Sequence, residues 1–210
     1  MRPKIGFIEV PMDEIVKAAL SKWPNVPHCY AWLALDARGA WRMRDERSQA
    51  LNLQGDKIRN ATLGGFINRN YQHDEQGRWY FQNGPQRVYV DLAATPYIAH
   101  TIPEHGFVLH TGVPLTEIDN VFLSSEGKLF FISGEILAQL DDRDLAACMG
   151  QIQINGEPAS DQELMTWLES TDAAPDIQFI LSHKKSLTVQ RGELRQLMER
   201  FGFVSTPRID

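Results

Sequence analysis

The sequence predicts an α+β fold of mostly antiparallel strands with a few short helices. Three observations carry this. Apolar runs are short and are punctuated by Gly, Asn, Asp and Pro turn signals, as strands joined by hairpins would be. Helical periodicity is confined to brief windows. A strand–helix–strand–strand order occurs twice. In the first half Gly39–Met43 reads as a strand, a helical stretch ends near Leu63–Phe66, and strands follow at Trp79–Gln82 and Arg87–Val90. In the second, Gly150–Ile154, Gln162–Leu168, Ile177–Leu181 and Ser186–Gln190 repeat that order. Strands do not alternate with long crossover helices, so a doubly wound nucleotide fold is not expected.

In chain order, residues 1–27 read as an N-terminal strand, helix and linker, 28–98 as a first α+β half, and 99–210 as a second. Met12, Ile15, Val16, Ala19 and Leu20 recur at helical spacing, with Pro11 before the first turn and Pro24 beyond the last. Tyr30–Leu35, the turn Asp36–Gly39 and Trp41–Met43 form a hairpin. The polar stretch Asp45–Arg59 reads as a loop or insertion. Asn60 is placed to cap a helix running to Asn70 whose buried face carries Leu63, Phe66 and Ile67. Gly64–Gly65 weakens that helix by about 1 kcal/mol per glycine, which points to close packing or a ragged helix. His73–Arg78 is a turn and Asn83–Gly84 a hairpin signal modified by Pro85. Val88 and Val90 share one face of their strand; Arg87, Tyr89 and Asp91 share the other.

Further strands are expected at Tyr97–Ile102, Gly106–His110, Asn120–Leu123, Lys128–Ile132 and Glu135–Leu140. A short helix follows over Asp141–Met149 with Asp141 or Asp142 as its N-cap. Ser160 and Glu163 fit a capping box. Glu193–Phe201 is a last helix, stopped by Gly202.

The 210 residues are 43% hydrophobic and 23% charged, enough apolar content for a core. A net charge of −6 opposes broad binding to nucleic-acid backbone. No stretch approaches the apolar length of a membrane span, and the N-terminus lacks the apolar centre of a signal peptide. Cys29 and Cys148 read as reduced core thiols, which places the protein in the cytoplasm.

None of the phosphate-loop, zinc-protease, serine-hydrolase or calcium-loop motifs occurs. Histidines 28, 73, 100, 105, 110 and 183 read as loop and strand-end residues, and Asp141, Asp142 and Asp144 as a helix start rather than paired acids. No metal or cofactor is expected. The most distinctive chemistry mixes arginines, amides and aromatics on a helix end and a hairpin: Arg69, Tyr71, Arg78, Tyr80, Gln82, Arg87 and Tyr89. Guanidinium forks and aromatic platforms of this kind suit a small anionic ligand or a peptide. The alternative is a hairpin with one aromatic face in the core and one solvated polar face.

The ALDARGAWRM hairpin, the LGGFINRNY helix, the GRWYFQNGPQRVYV hairpin, and Asp91 followed by Thr95–Pro96–Tyr97–Ile98 resemble a bacterial family of unknown function, the domain-of-unknown-function 1285 group. The resemblance covers Trp32–Ile98 well and the second half loosely, and the insertion at Asp45–Arg59 departs from the family's shorter connection. It implies repeated structural motifs, no established activity and, as conjecture for the family, a signalling or regulatory role. It transfers no catalytic residue. The expectation is a non-enzymatic cytoplasmic module that binds a small molecule or a protein partner, with homodimer formation left open. The alternative is a hydrolase-like or metal-dependent enzyme whose site is assembled from dispersed histidines and carboxylates.

Overall fold

The computed structural model describes residues 12–102, 106–170, 176–182 and 185–209. The strand expected within residues 1–10 lies outside them. Helix α1 is Glu14–Lys22. The first sheet follows: β1 Cys29–Leu35, β2 Trp41–Met43, β3 Asp56–Lys57, β4 Tyr71–His73, β5 Trp79–Asn83 and β6 Gln86–Leu92, with α2 Glu46–Ala50 and α3 Ala61–Arg69 between them. The second sheet comprises β7 Tyr97–Ile102, β8 Gly106–Leu109, β9 Pro114–Leu115, β10 Asn120–Leu123, β11 Leu129–Ser133, β12 Ile136–Leu140, β13 Ile152–Ile154, β14 Glu157–Pro158, β15 Ile177–Ser182 and β16 Lys185–Arg191. Helices α4 Leu145–Met149, α5 Asp161–Glu169 and α6 Leu194–Phe201 accompany it.

The sheet orders are β3-β2-β1-β6-β5-β4 and β14-β13-β15-β16-β10-β11-β12-β7-β8-β9. Pairings are antiparallel except β1–β6, β10–β16 and β7–β12. This is the expected α+β class. Both strand–helix–strand–strand successions are present, but their wiring differs. β13 pairs directly with β15, whereas β2 is separated from the corresponding β5 by β1 and β6. A second internal likeness links the meanders β4–β5–β6 and β10–β11–β12. Each opens on a four-residue turn closed by a glycine, Asp74–Gly77 and Ser124–Gly127, and each has a glycine at φ 55° in its second turn, Gly84 and Gly134.

The turns show why these residues sit where they do. Asp36 Oδ1 accepts from the amides of Arg38 and Ala40, and Asp74 Oδ1 accepts from those of Gln76 and Arg78. The side chain thereby does locally what a backbone turn does. Gly77 takes φ 75°, and a Cβ there would lie 1.8 Å from the Gly202 carbonyl oxygen, so only glycine fits. That approach seats the C-terminal segment across the first sheet. Val204 N donates to Gly77 O, Leu92 N donates to Ser205 O, and Arg208 reaches Asp91 at 2.7 Å.

The caps mostly agree with expectation. Asn60 Oδ1 accepts from Leu63 N at 3.0 Å, Ser160 and Glu163 form a full capping box, and Gly202 ends α6 in the left-handed conformation. Four details differ. Asp45–Arg59 holds α2, capped by Asp45, and the short β3. Neither Asp141 nor Asp142 is the N-cap of α4, because the chain first makes a turn in which Asp141 accepts from Arg143 N, and the helix begins only after Asp144. On α1, Val16 is 1% exposed but Ile15 is 76% exposed, so the buried stripe is narrower than the spacing suggested. Close packing is not found at the Gly64–Gly65 pair, since a Cβ on Gly64 would meet nothing within 4 Å and one on Gly65 only the Arg69 guanidinium, at 3.4 Å.

One hydrophobic core runs through both sheets, from Leu33 and Trp41 to Phe179 and Val189. Helix α3 packs on the first sheet and reaches the segment after β8. Phe66 packs edge-on against Phe81 of the first sheet, Trp41 Nε1 donates to Asn68 at 2.7 Å, and Asn68 Nδ2 donates to His110 O beyond β8.

Candidate functional site

β1 is irregular. Cys29 stands opposite Val88 and Leu33 opposite Val90, so three residues of β1 oppose the single Tyr89. Ala31, inside this bulge, has φ 65°, a left-handed conformation that costs a non-glycine residue about 1–2 kcal/mol. The bulge breaks the alternation of faces. As a result Cys29, Trp32 and Leu33 all reach the side of the sheet that α3 covers. Trp32 O accepts from Arg44 N at 2.8 Å, which fixes the bulge to the end of β2.

Between this face and α3 lies an open groove of about 260 Å³. Leu33, Phe81 and Ile67, all buried, form its floor. Trp32 at 40% exposure, with Met43 and Leu63, forms its mouth. Val88 and Ile58 complete the apolar lining, and the polar members are Cys29 and Asn83. Among the described residues no charged side chain lines it. Register places Cys29 and Asn83 at the same end, where β1 and β6 begin and β5 finishes.

The seven residues singled out in the sequence divide among three places. Arg78, Tyr80, Gln82, Arg87 and Tyr89 share the face of β5–β6 opposite the groove. Tyr80 pairs across the strands with Tyr89, and Gln82 with Arg87. Tyr30 stacks on Tyr89 at 4.6 Å, Arg78 lies over Tyr89 at 5.0 Å, and Arg87 lies over Tyr80 at 4.6 Å. Tyr80, Gln82 and Tyr89 are buried; Gln82 Nε2 donates to Gly84 O. Asp74 Oδ2 accepts from Arg78 Nε at 2.8 Å and from the Tyr89 hydroxyl at 3.0 Å. Burial pushes the Asp74 carboxyl up, but these bonds outweigh it and hold it below the usual carboxylate range. His28, at the edge of the cluster, is held below the usual imidazole range by burial and by Arg87 and Arg78. Tyr71 is on the other face, against Trp79, with its hydroxyl donating to Pro96 O at 3.0 Å. Arg69, at the end of α3, pairs with Asp13.

A second constellation joins residues far apart in sequence. His100 Nδ1 lies 3.2 Å from Asp141 Oδ2 and 3.6 Å from Asp144 Oδ2. Three donor atoms this close are within the reach of one divalent ion. Arg143, however, clasps both Asp141 oxygens, and Thr101 N donates to Asp144 Oδ2 at 3.0 Å. Burial raises the Asp141 carboxyl, but hydrogen bonds from the Arg143 side chain and amide dominate and bring it to about 2. His110 is not part of this cluster. Its Nδ1 accepts from Ile98 N, rings of Trp41 and Tyr71 surround it, and burial lowers its pKa to about 3. His105 and His183 lie outside the described residues.

The groove is the feature missed in the sequence. Nothing in CYAWLAL marks Ala31 as left-handed, and α3 reads as a core helix although Leu63 borders an opening. The signal that was present is three large apolar side chains, Trp32, Met43 and Leu63, on elements too short to bury them all.

No helix among the described residues is long and apolar enough to cross a membrane. No curated protein matches the chain. Among solved structures, a DUF1285 family protein from Shewanella baltica OS155 is similar at 11% identity over 55% of this chain and 88% of that one, with a TM-score of 0.37. Another from Silicibacter pomeroyi DSS-3 is similar at 13% identity over 90% and 85%, with a TM-score of 0.27. The family model described as "Protein of unknown function (DUF2946)" matches residues 12–208. The expectation of an uncharacterised family therefore holds, and this chain belongs to the DUF2946 family of proteins of unknown function.

Proposed function

We propose that this protein is a non-enzymatic binding module that seats a small ligand in the groove between α3 and the first sheet. The observation that carries this is the strained bulge at Ala31, which holds Trp32 at the mouth of an apolar groove instead of in the core. Strain that persists in a fold points toward function, and an apolar concavity with a few polar groups is the usual form of a ligand site. The arginine–tyrosine face supports the seat from behind, stiffening the two strands whose other faces carry Phe81 and Val88. Two free thiols suit a reducing compartment such as the cytoplasm. A ligand-binding module of this kind suits a role in signal transduction.

The test uses 1-naphthylamine, a small dye that is uncharged at neutral pH and whose emission shifts to shorter wavelength in apolar surroundings. Binding is expected in the wild type. It should fall at least tenfold in Leu63→Arg and Met43→Arg, which place a charge at the mouth, and persist in Met165→Arg, on the exposed side of α5. Equal loss in all three variants, or no binding to the wild type, refutes the seat.

A second reading, a metal-dependent enzyme built on His100, Asp141 and Asp144, is favoured by their proximity and opposed by the Arg143 clasp. Stoichiometric zinc or manganese retained through gel filtration, and lost in His100→Ala, would support it.

A further inference from the structure

The lining of the groove says what kind of molecule it takes, if the groove is the ligand seat proposed above. We infer that the ligand is uncharged: an apolar chain or ring of roughly nine heavy atoms with one neutral polar head. Size follows from the 260 Å³ volume, at about 30 Å³ per water-sized group. Charge follows from the walls. An ion lodged within the groove needs a partner of opposite sign or several hydrogen bonds, and among the described residues the lining offers neither. Arg78, Arg87 and Asp74 stand on the opposite face of the sheet, held by one another and by the tyrosines.

The head group follows from position. The Asn83 amide and the Cys29 thiol lie toward the same end of the groove, on the two strands that flank β6. The amide can both donate and accept, and the thiol is a weak donor. Such an end receives a hydroxyl, an amide or a carbonyl, and gives a carboxylate or an ammonium no compensating charge. The rest of the ligand meets Leu33, Phe81 and Ile67 along the floor and Trp32 at the mouth.

Cys29 reports on occupancy. It is half-buried at the groove end, whereas Cys148 is buried in the core with its thiol pushed up to about 11 by burial. Alkylation by iodoacetamide, followed by mass spectrometry of the intact full-length protein and its peptides, therefore reads Cys29, with Cys148 as an internal reference. 1-Butanol, 1-hexanol, 1-octanol and 1-decanol are compared with octanoate and octylammonium. The alcohols are expected to slow Cys29 alkylation, each added methylene tightening binding about three- to fourfold up to octanol. Decanol should gain little more, because the groove is then full. Octanoate and octylammonium should bind at least tenfold more weakly than octanol.

Octanoate or octylammonium binding as well as octanol overturns the uncharged class while leaving the seat in place. A failure of every alcohol, in a protein that still binds the naphthylamine dye at the Leu63-sensitive site, overturns the chain form of the ligand and restricts it to rings. If that dye also fails to bind, the seat itself is refuted. Leu63→Trp, which narrows the mouth, should slow alkylation with no ligand added; an unchanged rate would show that Cys29 is not reached through the groove.

Discussion

Removing the carboxylate of Asp91 should destabilise the protein far more than removing the arginine on its exposed side. Asp91 and Arg44 are both 6% exposed, and their side chains form a buried ion pair. Arg44 has other bonds, Nε to Leu53 O at 3.0 Å and Nη2 to Asn52 Oδ1 at 3.2 Å, but no other carboxylate pairs with it among the described residues. In Asp91→Ala the guanidinium stays buried and uncompensated, which costs about 3–5 kcal/mol. For a chain of this size that lowers Tm by on the order of 10 °C. Arg208 also touches Asp91, at 2.7 Å, but its side chain is 53% exposed and solvent screens the pair. Arg208→Ala should cost about 1 kcal/mol or less. Replacing both buried partners, Arg44→Met with Asp91→Leu, should recover most of the loss, because apolar groups of similar size leave no charge stranded. Urea denaturation of the four proteins measures this. A loss below 1 kcal/mol in Asp91→Ala, or an equal loss in Arg208→Ala, refutes the reasoning. The effect reaches the groove, since Arg44 N bonds Trp32 O and Met43 precedes it at the mouth.

Three further outcomes are expected. Gly64→Ala should stabilise by about 1 kcal/mol, a Tm rise of about 2–4 °C, because the added methyl meets open space in a helix interior; a lower Tm would mean that Gly64 has a packing role. Stability should fall with acid as His110 comes into play. Its pKa is lowered from about 6.5 to about 3, so its contribution is complete above pH 6.5 and declines by up to about 1.4 kcal/mol per pH unit between those values. His110→Phe should flatten that slope in denaturation curves collected from pH 7 to 4, and an unchanged slope would assign it elsewhere. Arg78→Ala should lower stability by about 1–3 kcal/mol, because it strips Asp74 of its charged partner, and should weaken dye binding through the strands it supports; weakened binding at unchanged Tm would instead place Arg78 at the ligand.

Local chemistry was legible in the sequence. Asn60, Ser160 and Gly202 stop and start helices for reasons that span three or four residues, and the Asp-x-x-Gly turns declare themselves the same way. Features that depend on distant pairing were not legible. The parallel contacts β1–β6, β10–β16 and β7–β12 join segments with no local signature. Arg44 and Asp91 are 47 residues apart, and His100 meets Asp141 across the second sheet. Gln82 reads as a candidate ligand-binding amide, yet its side chain turns back to Gly84 O and its backbone amide donates to Asn70 O, so it is buried. The groove needed both kinds of information: α3 was expected, but the bulge that turns Trp32 toward it was not.

The ligand seat is tested most directly by methyl-resolved NMR during titration with 1-octanol. Saturable shifts should appear at Leu33, Met43, Leu63, Ile67 and Val88, with Leu51, Leu53 and Met165, exposed outside the groove, unmoved. Shifts at those exposed methyls with none along the groove would contradict it.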